Sequence, residues 1–350
     1  MTESSYPLWF KGTAILLGVF LFFLLLSYGK FILMPLAISA LIAMLLEPVS
    51  RWFGRFKIKR AVAILISMFG LTLILGGIIS LLSIQLVQFV NHLPEANEKI
   101  QQVSSNIIHF FEIKFNLSPN RQVQFLQQGL TTAVNKSGEY VTSALSATTS
   151  VFTTLSILPF FVFFMMYYKD RYRIFLHNAL SERNKSIDNV IDSIQAITQN
   201  YIIGVITVIS ILAVLDTIGL WLVGIDHAVF FGVFAAILAI IPYIGVIIGS
   251  LPAILFSLLF TNSLWNPVAV MAVFFIVQLL EGNLITPNIV GSRVSINPFM
   301  ALVALVLGGQ LWGITGMIIF VPFLGIAKCI FDHVEGLKPY GYLLGNTREY

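Results

Sequence analysis

The 350-residue chain is poor in the side chains that most active-site chemistry uses: one cysteine, five histidines, and charged residues at only 10% of positions. A single Cys329 cannot close a disulfide within the chain, so the sequence indicates neither a disulfide framework nor a redox compartment. The histidines (His92, His109, His177, His227 and His333) have no ligand-like spacing, and no metal or cofactor is expected. There is no HExxH, no phosphate-binding loop and no nucleophile elbow, which argues against an enzyme and against ATP-driven pumping by this chain alone. Asp216 and Glu281 could imitate an aspartyl protease dyad, but the pattern that flanks such dyads is missing. The scarcity of charge also excludes an ordinary soluble domain, in which about a quarter of residues are charged.

What fills the chain instead is apolar: 57% hydrophobic residues, thirty phenylalanines among them, and a mean hydropathy of +0.90. A net charge of +4 would suggest nucleic acid in a soluble protein. Here the basic residues lie between apolar runs and read as topology signals, so no nucleic-acid partner is expected. A helix needs about 20 apolar residues to cross a bilayer. Runs of that order fall at 8–28, 31–49, 61–90, 149–168, 201–223, 228–260, 267–280 and 299–330. The first is too long for the core of a signal peptide and lacks a small-residue cleavage site, so it is expected to stay as a membrane helix. The fold class that follows is all-α: a polytopic helical membrane protein with about eight membrane segments, a broken or re-entrant helix pair and an amphipathic extramembrane helical segment.

Orientation is read from the loop RWFGRFKIKR, in which Arg51, Arg55, Lys57, Lys59 and Arg60 occur without an acid. A short loop this basic belongs in the cytoplasm. Counting from it places the N-terminus inside, the polar stretch after the third run outside, and Lys169, Arg171 and Arg173 inside again. The chain then divides into an N-terminal three-span region (1–90), an extracytoplasmic amphipathic helical segment (91–150), a fourth span (151–168), a cytoplasmic amphipathic segment (169–200), a C-terminal transport core (201–330) and a tail (331–350). Within 91–150, Leu93, Ala96, Ile100, Val103, Ile107 and Phe110 form one helical stripe, and Ser118-Pro119 opens a second helix. Such stripes pack on each other or on a neighbouring subunit, or bind a solute. Residues 186–200 carry an amphipathic pattern that either runs along the headgroups or feeds straight into the fifth span.

Three places concentrate the candidate chemistry. The run 228–260, at about 33 residues, would reach about 50 Å as one helix. The sequence IIPYIG interrupts it with Pro242, Tyr243 and Gly245, and Pro252 follows. Irregular backbone at membrane depth is tolerated where it is buried in protein or lines a wet cavity, so this break marks a substrate path or, more plainly, a kinked helix. The second place is QLLEGNLITPNIVG. There Gln278 and Glu281 share a helix face, and Asn283, Thr286 and Asn288 offer oxygens beside Pro287. These oxygens, with unwound carbonyls, suit a small cation or a polar solute; equally, Glu281 pairs with Arg293. The third is Asp216, a carboxylate inside the fifth run, which costs a few kcal/mol at that depth. It is either a coupling residue that carries a proton between the two sides or the acceptor of a structural hydrogen bond. Glu47 is expected to pair with Arg51, and Asp226 and His227 to lie solvated in a tight turn.

Three stretches, IIPYIGVIIGSLPAIL, EGNLITPNIVG and NPFMALVALVLGGQLWGITGMIIFVPFLGIAK, together resemble the AI-2E (autoinducer-2 exporter-like) transporter family, and the similarity covers nearly the whole chain. That resemblance implies a bacterial inner-membrane protein assembled as a homo-oligomer. It also implies export of the quorum signal autoinducer-2 or, in some members, sodium/proton antiport. It places Pro242, Tyr243, Gly245, Glu281, Asn283, Pro287, Gly308, Gly309 and Gly316 in the transport core. Asn297-Pro298 stands where the family often has His-Pro, and Asp226 stands at a commonly apolar or proline position. The reading as a whole is a secondary transporter of a small polar solute with H+ or Na+ as coupling ion. Its partners would be membrane lipids, the solute or ion, and other copies of the chain. The alternatives are a Na+/H+ antiporter and a membrane scaffold that binds a partner through 91–150.

Overall fold

The computed structural model describes residues 7–85, 87, 157–180, 187–241, 244–261, 263, 265–291 and 296–345. The expected 91–150 helices, Pro242, Tyr243 and Arg293 lie outside them. The helices are α1 (Leu8–Tyr28), α2 (Lys30–Gly54), α3 (Arg60–Gln85), α4 (Ile157–Tyr167), α5 (Lys169–Leu180), α6 (Ile187–Leu222), α7 (Ala228–Leu238), α8 (Ile244–Phe260), α9 (Trp265–Leu280), α10 (Pro298–His333) and α11 (Lys338–Leu344). Among the described residues, six helices are long and apolar enough to cross a membrane, and three shorter apolar ones join them. The protein is thus an all-α polytopic membrane protein. The large apolar side chains left uncovered along α1 and α3 are what lipid contact requires of such a chain.

Contacts group the chain into two compact units that interleave in sequence. The first draws on Met1–Ile64, Leu155–Gln199 and Val294–Tyr350; the second on Leu65–Thr154 and Asn200–Arg293. α6 runs unbroken over 36 residues, so the amphipathic stretch before the fifth span feeds directly into it.

The run 228–260 is a helical hairpin. α7 has 11 residues and α8 has 17, about 16 and 25 Å at 1.5 Å per residue, and both fall short of a hydrocarbon core about 30 Å thick. The arms are antiparallel. A Cβ on Gly245 would fall 1.7 Å from the Leu238 carbonyl oxygen, and one on Gly249 would fall 2.7 Å from Ala235 Cα. Further along, the rings of Phe231 and Phe256 meet at 5.3 Å. Only glycine lets two backbones approach this closely, and such approach replaces the hydrophobic drive that is missing between helices in lipid.

A second hairpin was not expected. The last run reads as one long span, but α10 is interrupted at Trp312 (φ −127°, ψ 15°) and Gly313 (φ 62°, ψ −144°). Residues eight apart in a straight helix lie about 12 Å apart. Here a Cβ on Gly316 would meet the Gly308 carbonyl oxygen at 1.9 Å, and the Trp312 and Phe320 rings meet at 5.4 Å. The chain therefore turns back at Gly313, whose positive φ is open to glycine. Both ends of this hairpin lie together: Asn297 N–H donates to Leu344 O (2.9 Å), and Asn297 Nδ2 donates to Leu343 O (2.8 Å). At the tip, Trp312 Nε1 donates to Leu26 O (2.9 Å) in the last turn of α1, where carbonyls lack helical partners.

Candidate functional site

Of the described candidates, Gly308, Gly309 and Gly316 lie on the α10 hairpin of the first unit, and the others lie in the second unit, on α6, on the α7–α8 hairpin, and on α9 with its continuation. Asp216 is 5% exposed, and its Oδ1 has no hydrogen-bond partner among the described residues. It stands one turn from Leu212 and one turn from Leu220 on the buried stripe of α6. Leu212 packs with Val208, Ala236 and Val277, and Leu220 packs with Phe231, Val270 and Phe274. The expected structural hydrogen bond is therefore not made from Oδ1 to any described residue. An orphaned carboxylate oxygen buried between two hydrocarbon clusters is a costly arrangement.

The segment after α9 does not unwind. It continues as wide π turns over Glu281–Ile285 and Pro287–Gly291, which corrects the expectation of open backbone around Pro287. The physical reason is register. Pro287 has no N–H to give, and the wider turn shifts each amide to the carbonyl five residues back. Asn283 Nδ2 then donates to Leu279 O (2.8 Å) and Asn288 Nδ2 to Leu284 O (2.7 Å), the carbonyls those residues' own amides would bind in an α-helix. These two asparagines are thereby tied to the helix itself.

What the π turns bring together is a short polar chain. Gln278 Nε2 donates to Glu281 Oε2 (2.8 Å), and Thr286 Oγ1 donates to Glu281 Oε1. Glu281 is half-buried, Gln278 is exposed, and Arg293 lies outside the described residues. Ile285, Ile289 and Val290 of the same turns pack on the cluster that holds Leu212, and Gly204 of α6 admits Ile289 at 3.4 Å. Asp216 and the Glu281 cluster therefore border one apolar cluster from different helices. Gly245 belongs to the packing between the hairpin arms, where a Cβ would meet Leu238 and Ala239.

Sequence reasoning passed over one feature of this unit. A cavity of about 750 Å³ is lined by Gln85, Thr217, Trp221, Asp226 and His227 among apolar side chains. Thr217 and Trp221 face it, while Asp216, next along α6, points into the core. His227 holds a left-handed backbone (φ 60°) at the start of α7, with its ring edge-on to Phe256 at 6.1 Å. As expected, Asp226 and His227 are exposed in a turn, but they also form the rim of this cavity. Adjacent acid and histidine in a tight turn were the available signal; the cavity behind them requires α3, which is remote in sequence.

In the first unit, Glu47 pairs with Arg51 as expected (Nε–Oε1, 2.7 Å), and Lys169 binds the same carboxylate oxygen. Asn297 caps α10 by accepting from the Met300 amide (2.8 Å) and ties the hairpin base to the chain's C-terminal helix.

The family model described as "AI-2E family transporter" matches residues 13–336. Among relatives, "Putative transport protein YrrI" of Bacillus subtilis is 28% identical over 91% of this chain and 93% of its own. "Putative transport protein YhhT" of Escherichia coli is 24% identical over 91% and 89%. "AI-2 transport protein TqsA" of Escherichia coli is 22% identical over 96% of both chains. With the match covering nearly its whole length, this chain belongs to the AI-2E family of transporters.

Proposed function

We propose that the chain is a secondary transporter that exports a small polar solute resembling autoinducer-2, with H+ or Na+ as coupling ion and Asp216 and Glu281 as the groups that exchange it. The observation that carries this reading is the unpartnered, buried Oδ1 of Asp216. A charged carboxylate in that position costs several kcal/mol, so a proton or a cation must accompany it through part of the cycle. Thr217 and Trp221, beside it on α6, line the cavity that opens at Asp226 and His227, and this cavity is the vestibule from which solute and ion approach. The path continues along Gln278, Asn283, Thr286, Pro287 and Asn288 and past Pro242, Tyr243 and Gly245. The solute class comes from the relative named as an AI-2 transport protein. The membrane is the bacterial inner membrane, the N-terminus is cytoplasmic as the basic 51–60 loop requires, and the chain assembles with copies of itself. The Gln278–Glu281–Thr286 oxygens also favour a Na+/H+ antiport reading, in which ion exchange proceeds without solute.

The test is uptake of autoinducer-2 and of sodium into proteoliposomes under imposed pH and sodium gradients. Gradient-dependent flux lost in Asp216→Asn and reduced in Glu281→Gln is expected, with both variants eluting as the wild type does. Full gradient-driven flux in both would remove these residues from coupling. Sodium flux with no solute flux would select the antiporter.

A further inference from the structure

We infer that the first unit holds an anionic phospholipid, its acyl chain lying in a groove along α2 and its headgroup at Lys169 and Arg173. Two cavities carry the inference. One, about 460 Å³, runs between α1, α2 and the second hairpin and has an almost wholly hydrocarbon lining that ends at Trp312. The other, about 580 Å³, reaches Glu47, Lys169, Tyr172 and Arg173. Both are lined by Leu36, Ala40 and Met165, so they form one groove. On α2 the lining runs from Leu33 through Leu36, Ala40 and Met44 to Glu47, one helical stripe about 21 Å long at 1.5 Å per residue. That is the depth of one leaflet's hydrocarbon, about half of 30 Å, plus its headgroup region.

The chemistry of the groove selects its occupant. Protein interiors leave few voids larger than a water, and a carbon-lined void gives water no partners. Phe22, Leu36 and Phe323 on its wall remain 58%, 38% and 36% exposed, so the groove opens sideways, where an acyl chain can enter. At the polar end, one carboxylate oxygen of Glu47 serves both Arg51 and Lys169, which leaves cation in excess. Arg173 lies beside them, held by Asp188 and Asp192, neither of which lines the groove. Burial lowers the Lys169 ammonium from its usual range; Asp170 opposes this and Arg173 adds to it, so a further anion at this place stabilises the charged form. A phosphodiester supplies that charge and acceptor oxygens for Lys169, Arg173 and the Tyr172 hydroxyl, on the side that bears the basic Arg51–Arg60 loop.

The test uses Trp312 as reporter, with Trp9, Trp52, Trp221 and Trp265 replaced by phenylalanine. The protein is placed in phosphatidylcholine vesicles carrying a minority of dibrominated phosphatidylglycerol or of dibrominated phosphatidylcholine. Quenching by the anionic lipid at several-fold lower mole fraction is expected. Lys169→Gln and Arg173→Gln are expected to weaken that preference about fivefold each, and Lys169→Arg to retain it. Ala40→Phe, which fills the groove, is expected to reduce quenching by both lipids. Millimolar inorganic phosphate should change nothing; if it abolishes the preference, the charged end is a free-phosphate site and the lipid assignment falls. Equal quenching by both lipids, or a preference that survives the double Gln variant, also overturns it. Wild-type protein extracted from vesicles with equal phosphatidylglycerol and phosphatidylcholine and weighed intact gives a reading that needs no substitution. Retained phosphatidylglycerol supports the site, and equal or absent adducts overturn it.

Discussion

Gly316→Ala tests the second hairpin directly. The added Cβ would lie 1.9 Å from the Gly308 carbonyl oxygen and 2.5 Å from its carbon, with ordinary contact beginning near 3.4 Å. The arms must therefore part by about 1.5 Å where they cross, and a gap of even 0.5–1 Å forfeits about a quarter to a half of each dispersion contact there. Overpacking of this kind costs about 1–3 kcal/mol. Glycine to alanine in an open helix works the other way and gains about 1 kcal/mol in intrinsic propensity. Gly76 on α3 supplies that control, since a Cβ there meets no described atom within 4 Å. Gly316 is helical too and gains the same propensity, so the two variants should separate by the overpacking cost alone, about 2 kcal/mol. In thermal unfolding of the detergent-solubilised protein, Gly76→Ala is expected at or above the wild-type midpoint, and Gly316→Ala on the order of 5 °C below it. Gly308→Ala should repeat the loss from the other arm, where the added Cβ meets Gly316 O at 2.4 Å. Coincident midpoints for Gly316→Ala and Gly76→Ala would mean that the arms are not in contact and that α10 runs straight.

The remaining expectations concern topology and tethering. If each hairpin returns to the side it entered, six crossings are left, an even number, so tags on the two termini should share one side, while a tag at residue 263, after five crossings, should report the opposite side; a tag at 263 on the N-terminal side would show that 228–260 crosses. Trp312→Phe keeps a ring against Phe320 but leaves the Leu26 carbonyl unpaired, and a loss of about 1 kcal/mol in thermal stability is expected; an unchanged midpoint would mean that this bond does not hold the hairpin tip. Glu47→Ala strands two cations at a site where the carboxylate is 9% exposed, and should cost about 2 kcal/mol, whereas Asp170→Ala breaks an exposed pair with Arg60 and should cost less than about 1 kcal/mol; equal losses in paired melts would contradict that ranking.

The membrane segments were legible because bilayer thickness imposes a length on apolar runs that no soluble constraint competes with. The break after Leu238 was legible because a 33-residue run, as the count from 228 to 260 makes it, overshoots any crossing. The last run, 299–330, overshoots by as much, yet it lacks a proline at its turning point. The reversal there depends on Gly313 taking a positive φ and on Gly308 and Gly316 meeting across it, which only a view of both arms reveals. Pro287 misled in the opposite direction. Proline removes a donor, but a π register with two asparagine amides on the affected carbonyls keeps the segment helical. Spacing paired Gln278 with Glu281 correctly; Thr286, five residues from Glu281, reaches it because the wide turn rotates it onto that face.

The two hairpins differ in what holds them, and in a membrane that difference matters. The hairpin in the first unit is hydrogen-bonded at both ends, through Trp312 to Leu26 at the tip and through Asn297 to Leu343 and Leu344 at the base. The hairpin in the second unit is held to its neighbours chiefly by carbon contacts: Phe231 and Phe256 in the cluster with Leu220 and Val270, and Gly232 against Thr217. Lipid tails are as apolar as these side chains, so no hydrophobic term opposes a shift of the α7–α8 hairpin, only the close fit of its packing. Breaking the hydrogen bonds of the α10 hairpin, by contrast, leaves the Trp312 donor and the Leu26 carbonyl without each other. Of the two hairpins, α7–α8 therefore has the lower cost of displacement, and it is the one that packs against the α6 stripe carrying Asp216 and beside the cavity rimmed by Asp226 and His227.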